Sequence, residues 1–327
     1  MEIMNPFSFF HIHDETGFTQ AALSVFRFQY NHNPTYHSYC QLLNVKKEEV
    51  KQLEDIPFLP ISFFKTHTVK TTVFTPTLTF CSSGTTGMQQ SRHLIKDAII
   101  YQKSLIEGFR FFYGNPSDYT FLALLPNYLE QKHSSLVYMM DTLMRQSHSK
   151  ESGYYLYNHE DLYQKLIQLR ENKQKTILWG VTFALLDFAE HYSLDFPKLI
   201  VFETGGMKGR RKEMVKEELY ARLKKAFGVP DIHSEYGMCE LLSQAYSKGG
   251  NIFATPPWMQ LRLRSEKDPL DSSNSVSTGV INVIDLANIY SCSFIATEDL
   301  GRRHPQGIEV LGRLDHAQIR GCNLMVL

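Results

Sequence analysis

The stretch Cys81-Ser82-Ser83-Gly84-Thr85-Thr86-Gly87 follows directly on the β-branched, apolar run Thr71–Phe80. A strand that runs into small hydroxyls and glycines is built to hold phosphate. Glycine lets backbone N–H groups turn inward, and Ser82, Ser83, Thr85 and Thr86 add short hydroxyl donors. No Gly-Lys-Ser/Thr follows, so this is not a Walker A loop, and the glycine spacing is not Gly-x-Gly-x-x-Gly. Taken alone, such a loop reads equally well as an ordinary turn. Its meaning is set by what lies downstream.

Composition narrows the field. A chain of 327 residues with 43% apolar and 21% charged residues is long enough for one large or two ordinary globular domains. The formal net charge is zero, and nucleic acid is not favoured as a partner, because binding a phosphate backbone needs concentrated Lys and Arg. The most basic stretch, Lys208 to Lys212, opens a helical pattern and is expected to face solvent. No apolar run reaches the length of a membrane span, and the first fifteen residues lack the cationic start and apolar core of a signal peptide. Five scattered cysteines without Cys-x-x-Cys point to a reducing, cytoplasmic setting with neither disulfides nor a zinc site.

The pattern along the chain is that of an α/β protein. Helices are expected over 18–30, 47–55, 95–113, 183–192 and 209–227, and strands over 120–125, 176–180 and 198–202. Strands alternating with helices imply parallel α/β units with ligands at the strand C-terminal ends. From about Asn251 the helical periods stop. Short strands over 276–283, 290–296 and 308–311 then imply a smaller β-rich subdomain. The expected division is a helical N-terminal extension (1–70), an α/β core (71–250) and the β-rich subdomain (251–327).

Four further segments follow the opening loop in order. Glu203-Thr204-Gly205-Gly206-Met207-Lys208-Gly209 ends a strand in a Gly-rich turn that a flat ring can approach. Ser234-Glu235-Tyr236-Gly237-Met238-Cys239-Glu240 offers an aromatic face, a glycine and a carboxylate. Thr297-Glu298-Asp299-Leu300-Gly301-Arg302 adds a second carboxylate, and Gly312-Arg313-Leu314-Asp315 a third beside an arginine. Together with Ser82–Gly87, these segments resemble the core motifs of the adenylate-forming (acyl-, aryl- and luciferase-type) synthetases. The resemblance runs from about Phe74 to the end. Within that superfamily the chain is most similar to the acyl-protein synthetases of the LuxE type, through Glu203–Gly209, Pro126-Asn127-Tyr128 with Ser134-Ser135-Leu136, and the terminal Arg320-Gly321-Cys322. It departs from the superfamily pattern at Glu298, where glycine is usual, and at Cys239, where threonine is usual.

The resemblance implies the stacked α/β layers of the large domain of those enzymes, and the activation of a carboxylic acid by ATP to acyl-AMP with release of pyrophosphate. Ser82, Ser83, Gly84, Thr85, Thr86 and Gly87 would wrap the phosphates. Glu240, with Thr85, would hold Mg2+. Gly205, Gly206, Tyr236 and Gly237 would line the adenine, with Asp299 and Arg313 at the ribose. His133 falls in the segment similar to the acyl-pocket motif, and Asp315 is the expected hinge. The carboxylate substrate is ionised at neutral pH, so a Ser/His/Asp pattern is not expected; positioning and electrostatics carry the chemistry.

On the same grounds a fatty acid is the expected acid, Cys322 the thiol that receives the acyl group, and a protein the final acceptor. Seven residues separate Asp315 from Cys322, which an extended chain spans in roughly 23 Å. The chain stops twelve residues after Asp315, so the lysine-bearing small domain usual in the superfamily is not expected. Two other readings stay open at this point. One is an acyl-CoA ligase or an acyltransferase on another acceptor; the other is a non-catalytic adenylate-binding subunit.

Overall fold

The computed structural model describes residues 5–82, 89–126, 133–205, 215–271 and 273–314. In chain order its strands are β1 (Leu59–Pro60), β2 (Leu78–Cys81), β3 (Arg92–Ile95), β4 (Thr120–Leu124), β5 (Gly153–Tyr155), β6 (Thr176–Val181), β7 (Ile200–Thr204), β8 (Ile232–Tyr236), β9 (Ala245–Ser247), β10 (Ile252–Phe253), β11 (Met259–Arg264), β12 (Thr278–Asp285), β13 (Phe294–His304) and β14 (Gly307–Arg313). Its helices are α1 (Glu15–His32), α2 (Pro34–Leu42), α3 (Phe63–Thr66), α4 (Ala98–Tyr113), α5 (Ser135–Ser147), α6 (His159–Glu171), α7 (Thr182–His191) and α8 (Lys216–Phe227).

The central sheet runs β5-β4-β6-β7-β8-β9, parallel except for β9 at the edge. Parallel neighbours need crossover connections, which α5, α6, α7 and α8 supply in turn. Strands β4 and β6 are buried at every position, as their near-continuous apolar sequences require of a sheet covered on both faces. Trp179 and Phe202, register partners on β6 and β7, stack with centroids 3.9 Å apart and planes 2° from parallel. The fold is the α/β architecture that the alternating pattern implied.

A second sheet runs β10-β14-β13-β12-β11 with antiparallel neighbours, and β1 joins it parallel to β13. The N-terminal helices pack against it through buried polar groups. Gln29 Nε2 donates to the carbonyls of Asn288 and Ile289, at 3.0 Å each. Asn33 Nδ2 donates to the Ser291 carbonyl at 2.8 Å, and the Tyr36 ring stacks on Phe294. Both amide side chains are fully buried, so these bonds prevent the penalty an unpaired amide would carry there.

Three local expectations need correction. The run 71–80 is a strand only over Leu78–Cys81. Upstream, Thr71 donates its N–H to Tyr290 and its hydroxyl to Ser291, and Thr72 sits at a φ of 70°, so this backbone pairs with a distant loop instead of a strand. The expected helix over 47–55 is reduced to a 3₁₀ turn, Leu53–Asp55. There Asp55 Oδ2 accepts from the N–H groups of Lys51 and Gln52, a local bond that competes with helix. The strand expected over 290–296 lies instead over Phe294–His304, because the chain at 290–293 turns, with Ser291 N bonded to the Asn288 carbonyl. Elsewhere the differences lie at element ends: Ile95 belongs to β3 with the helix starting at Ala98, and the helix expected over 209–227 is described over Lys216–Phe227.

The two sheets meet at Asp285, the last residue of β12, which is fully buried. Its Oδ2 accepts from the N–H groups of Leu242 and Ser243 at 2.8 and 2.9 Å. Its Oδ1 accepts from Ser243 Oγ at 2.6 Å and Ala287 N at 3.1 Å. Burial pushes the carboxyl pKa up, and these four donors oppose it. Ser243 Oγ also accepts from Trp258 Nε1 and pairs with Ser104 Oγ on α4. Asp285→Ala strands several buried donors, so unfolding in urea should show a loss of about 3 kcal/mol or more. Asp285→Asn, which keeps one acceptor oxygen, should lose markedly less. A loss below about 1 kcal/mol for the alanine variant would show that solvent replaces the carboxylate.

Candidate functional site

The C-terminal ends of β7 and β8 carry the first candidate residues. β7 ends at Thr204, and Gly205 follows at a φ of 78°, a left-handed conformation that glycine adopts without strain. The Thr182 hydroxyl bridges the Glu203 carboxylate and the Gly205 carbonyl, which ties the turn to the start of α7. Glu203, itself buried, also accepts from Lys216 Nζ at 3.3 Å and from Ser234 Oγ at 3.4 Å. Lys216, at the head of α8, reaches Asn251 Oδ1 at 3.1 Å, and Asn251 Nδ2 in turn donates to the Val310 carbonyl of β14. Gly206 lies outside the described residues.

Strand alternation sorts the side chains of β8. Ser234 and Tyr236 share one face, and His233 and Glu235 the other. Tyr236 is buried beside the Phe253 ring and donates its hydroxyl to Asp299 Oδ2 at 2.8 Å. The β13–β14 register places Asp299 directly opposite Arg313, whose Nε lies 3.6 Å from Oδ1. Burial pushes the Asp299 carboxyl up, while the Tyr236 hydroxyl and Arg313 hold it down. The Asp299 side chain is 16% exposed and that of Arg313 82%. The aspartate is therefore fixed from below, and the arginine is an exposed partner of small energetic weight. Glu298, at the departure from the superfamily pattern, accepts from Leu314 N through its carbonyl at 2.7 Å.

On the other face, Glu235 Oε2 accepts from Thr204 Oγ1 at 3.2 Å. A Cβ at Gly237 would stand 2.1 Å from Glu235 Oε1, so the glycine leaves room for the carboxyl to fold against the backbone. Burial pushes the Glu235 pKa up to about 7, and the Thr204 hydroxyl opposes the rise only in part. Glu240, 5% exposed, sits in the turn after β8, where Asn288 Nδ2 donates to its carbonyl at 2.7 Å. Burial, and then the neighbouring Glu240 carboxylate, push the Cys239 thiol well up, which disfavours a thiolate there.

The β2–β3 hairpin presents the opening loop. Ser82 and Ser91 bond across its base, N to carbonyl at 3.2 Å and N to Oγ at 3.0 Å. His93 on β3 is fully buried, and its Nδ1 lies 2.7 Å from the Cys239 carbonyl. A carbonyl only accepts, so Nδ1 carries the proton. Burial lowers the His93 pKa to about 4, with the Cys239 carbonyl bond opposing. This contact ties the hairpin to the Tyr236–Glu240 turn. His133 is exposed and flanks β2: its carbonyl accepts from Cys81 N at 3.0 Å, and its Nδ1 meets the Thr79 carbonyl at 3.1 Å. Ser83, Gly84, Thr85, Thr86, Gly87, Asp315 and Cys322 lie outside the described residues.

The structure thus gathers Gly205, Tyr236, Gly237, Glu240, Asp299 and Arg313 at the seam between the two sheets, with Ser82 at the base of the adjoining hairpin. Sequence reasoning passed over Glu203, Lys216, His93, Glu235 and Asp285. One signal was available. β8 reads Ile232-His233-Ser234-Glu235-Tyr236, four polar-capable residues in an interior strand, where a parallel sheet ordinarily carries an apolar run.

The family model for the acyl-protein synthetase LuxE matches residues 3–327. Among curated proteins, none matches this chain. Solved structures do. An open conformation of 2-hydroxyisobutyryl-CoA ligase in complex with 2-HIB-AMP and CoA superposes with a TM-score of 0.65 at 14% identity, covering 92% of this chain and 70% of that one. The same ligase in its thioesterification state gives 0.65 at 16% identity, with 92% and 68% covered. McyG A-PCP complexed with phenylalanyl-adenylate gives 0.51 at 14% identity, with 72% and 46% covered. At these identities the likeness speaks for the fold, the family model for kinship. The chain belongs to the acyl-protein synthetase family of the LuxE type and is an acyl-adenylate-forming enzyme.

Proposed function

We propose that the enzyme activates a fatty acid at the ends of β7 and β8 and passes the acyl group through Cys322 to a protein acceptor. The observation that carries this reading is the chain from Tyr236 to Asp299 to Arg313 beneath Gly205 and Gly237. It holds one carboxylate, mostly buried, where β8 meets the β13–β14 pair, which suits the two hydroxyls of a ribose. The adenine would lie along the Gly205-Gly206 backbone with Tyr236 and Gly237 at its edge. Ser82 and the loop that continues from it to Gly87 would receive the β- and γ-phosphates.

In the first step a carboxylate oxygen of the acid attacks the α-phosphorus. The acyl–O–P bond forms, the bond to the β-phosphate oxygen breaks, and pyrophosphate leaves. In the second, the Cys322 thiolate attacks the acyl carbonyl, AMP departs with the electron pair, and the thiol proton passes to solvent. The residues suit one divalent cation. Glu240 supplies a single carboxylate, and among the described residues no cluster of three or more His, Cys, Asp or Glu stands ready to cage a metal. Mg2+ ordinarily takes one or two carboxylates and completes its shell with nucleotide phosphates and water. When bound with Glu240 and Thr85 it would neutralise phosphate charge. No described helix is long and apolar enough to cross a membrane.

Acid-dependent exchange of labelled pyrophosphate into ATP tests the activation step, and its absence with every acid of a broad panel would defeat the reading. Asp299→Ala should reduce kcat/KM for ATP about tenfold to a hundredfold, the worth of hydrogen bonds to a charged group, whereas Arg313→Ala should cost less. Glu240→Gln should raise the Mg2+ concentration needed for half-maximal exchange. Cys322→Ala should keep full exchange and lose a hydroxylamine-sensitive acyl label on the intact protein; a label that persists excludes Cys322 as the acceptor.

A further inference from the structure

Three buried polar atoms, His93 Nε2, Asn288 Oδ1 and Ser291 Oγ, have no partner among the described residues, and the residues that carry them line one cavity. His93 and Asn288 are fully buried and Ser291 is 3% exposed. The cavity lies where three parts of the chain meet. His93 comes from β3, Leu242 from the turn after β8, and Asn288 and Ser291 from the connection between β12 and β13. Its volume is about 10 Å3, close to the least that holds one water molecule and too little for anything larger.

The other atoms of these residues decide what each unpaired atom can do. His93 Nδ1 donates to the Cys239 carbonyl, so Nε2 holds a lone pair and only accepts. Asn288 Nδ2 donates to the carbonyls of Glu240 and Cys292, at 2.7 and 3.3 Å, which sets the amide and leaves Oδ1 as an acceptor. Ser291 is held by its backbone: its N–H donates to the Asn288 carbonyl, and its carbonyl accepts from Asn33 and Thr71. Its hydroxyl remains to donate. Two acceptors and one donor thus border the cavity, and buried polar groups are costly unless paired. An apolar group meets none of them. A metal ion or an ammonium meets the lone pairs but leaves the Ser291 proton without an acceptor. Nor does charge call for an ion, because Lys96 and Asp97, which also line the cavity, are opposite in sign and engaged elsewhere. Lys96 Nζ lies 3.9 Å from the Tyr290 ring centroid, and Asp97 Oδ1 caps α4 by accepting from Ile99 N at 2.8 Å. Water donates to Nε2 and Oδ1 and accepts from Ser291, so it alone matches all three.

We propose that His93, Asn288 and Ser291 bind one internal water molecule, which joins the β2–β3 hairpin to the second sheet. His93 and Asn288 already donate to two successive carbonyls of the turn after β8, those of Cys239 and Glu240. The water makes these two donors one bonded unit, and Ser291 anchors that unit to the connection before β13. A water with three such bonds is a fixed part of the structure. The inference stands on the packing alone and does not depend on what Glu240 binds.

A crystal structure of the full chain, at a resolution that orders internal water, tests the site directly. One density peak should lie about 2.7–3.2 Å from all three atoms. An empty cavity, or direct bonds among the three side chains, overturns the inference. Crystals soaked in rubidium chloride test the rival occupant, and an anomalous peak at the site would identify a cation and overturn it too. Two measurements in solution need no crystals. With 15N-labelled histidine, His93 should show the neutral tautomer protonated at Nδ1, with Nε2 bare and accepting a hydrogen bond; a proton on Nε2 overturns the inference. Ser291→Ala removes only the hydroxyl and keeps the backbone bonds of that residue. If the hydroxyl donates to a bound water, the variant should melt at a lower temperature than wild type. If the hydroxyl is buried and unpaired, its removal leaves the melting temperature unchanged or raises it, and that result overturns the site.

Discussion

The buried carboxylate of Asp285 is the constraint on which the arrangement depends. It ends a strand of the second sheet, yet two of its four donors are backbone N–H groups of the turn that follows β8 in the first. A carboxylate in such a place is tolerated only when its lone pairs are met, so the turn has one position relative to β12. Glu240 is thereby presented from a backbone held at both ends, by β8 on one side and by Leu242 and Ser243 on the other. The shared hydroxyl of Ser243 extends the constraint to Trp258 and to α4.

With the seam fixed, alternation along β8 divides the remaining work. Tyr236 points toward the second sheet and finds Asp299 at a separation of 63 residues. Glu235, one residue earlier, points the opposite way and finds Thr204 and Tyr246. A one-residue slip of β8 would exchange the two faces and lose both sets of partners. The neighbouring parallel strand and the antiparallel β9 hold that register from either side, and this is why an interior strand can afford so many polar residues.

Much of this was legible in the residues. The parallel core showed in Thr120–Leu125, Thr176–Gly180 and Lys198–Phe202, because strands covered on both faces must be apolar. The candidate residues stood out because glycine, tyrosine and aspartate recur in a recognisable order, and the structure brings Tyr236 to Asp299. What stayed hidden depends on distant partners. Thr71 looks like a strand residue until Ser291 takes its hydroxyl. Gln29 looks like a surface glutamine of an amphipathic helix, yet it is buried against carbonyls about 260 residues away. The short β1 joins the second sheet from the N-terminal part of the chain, and two residues, one of them a proline, give no periodicity to read. Glu235 was in plain view within a motif, but its neighbours drew the attention; only the cross-strand register shows that it faces away from them.

The polar bonds share a further logic. Among the described residues, several segments around Gly205, Tyr236 and Asp299 are fastened by bonds to another element. Ser82 and Ser91 close the base of the β2–β3 connection, and His93 ties that hairpin to Cys239. Thr182 and Glu203 hold the start of the turn after β7, and Lys216 returns to the same glutamate from the head of α8. From Lys216 the contacts continue through Asn251 to the Val310 carbonyl of β14, three residues before Arg313. Asn251 occupies a left-handed backbone position, φ 58°, which asparagine tolerates better than most residues, and its amide joins Lys216 of α8 to β14 there. Precision in a site of this kind comes from the rigidity of what supports the contacting groups. The turn after β7 and the strand carrying Arg313 are therefore coupled through one lysine and one asparagine, so a substitution at either should disturb both supports at once.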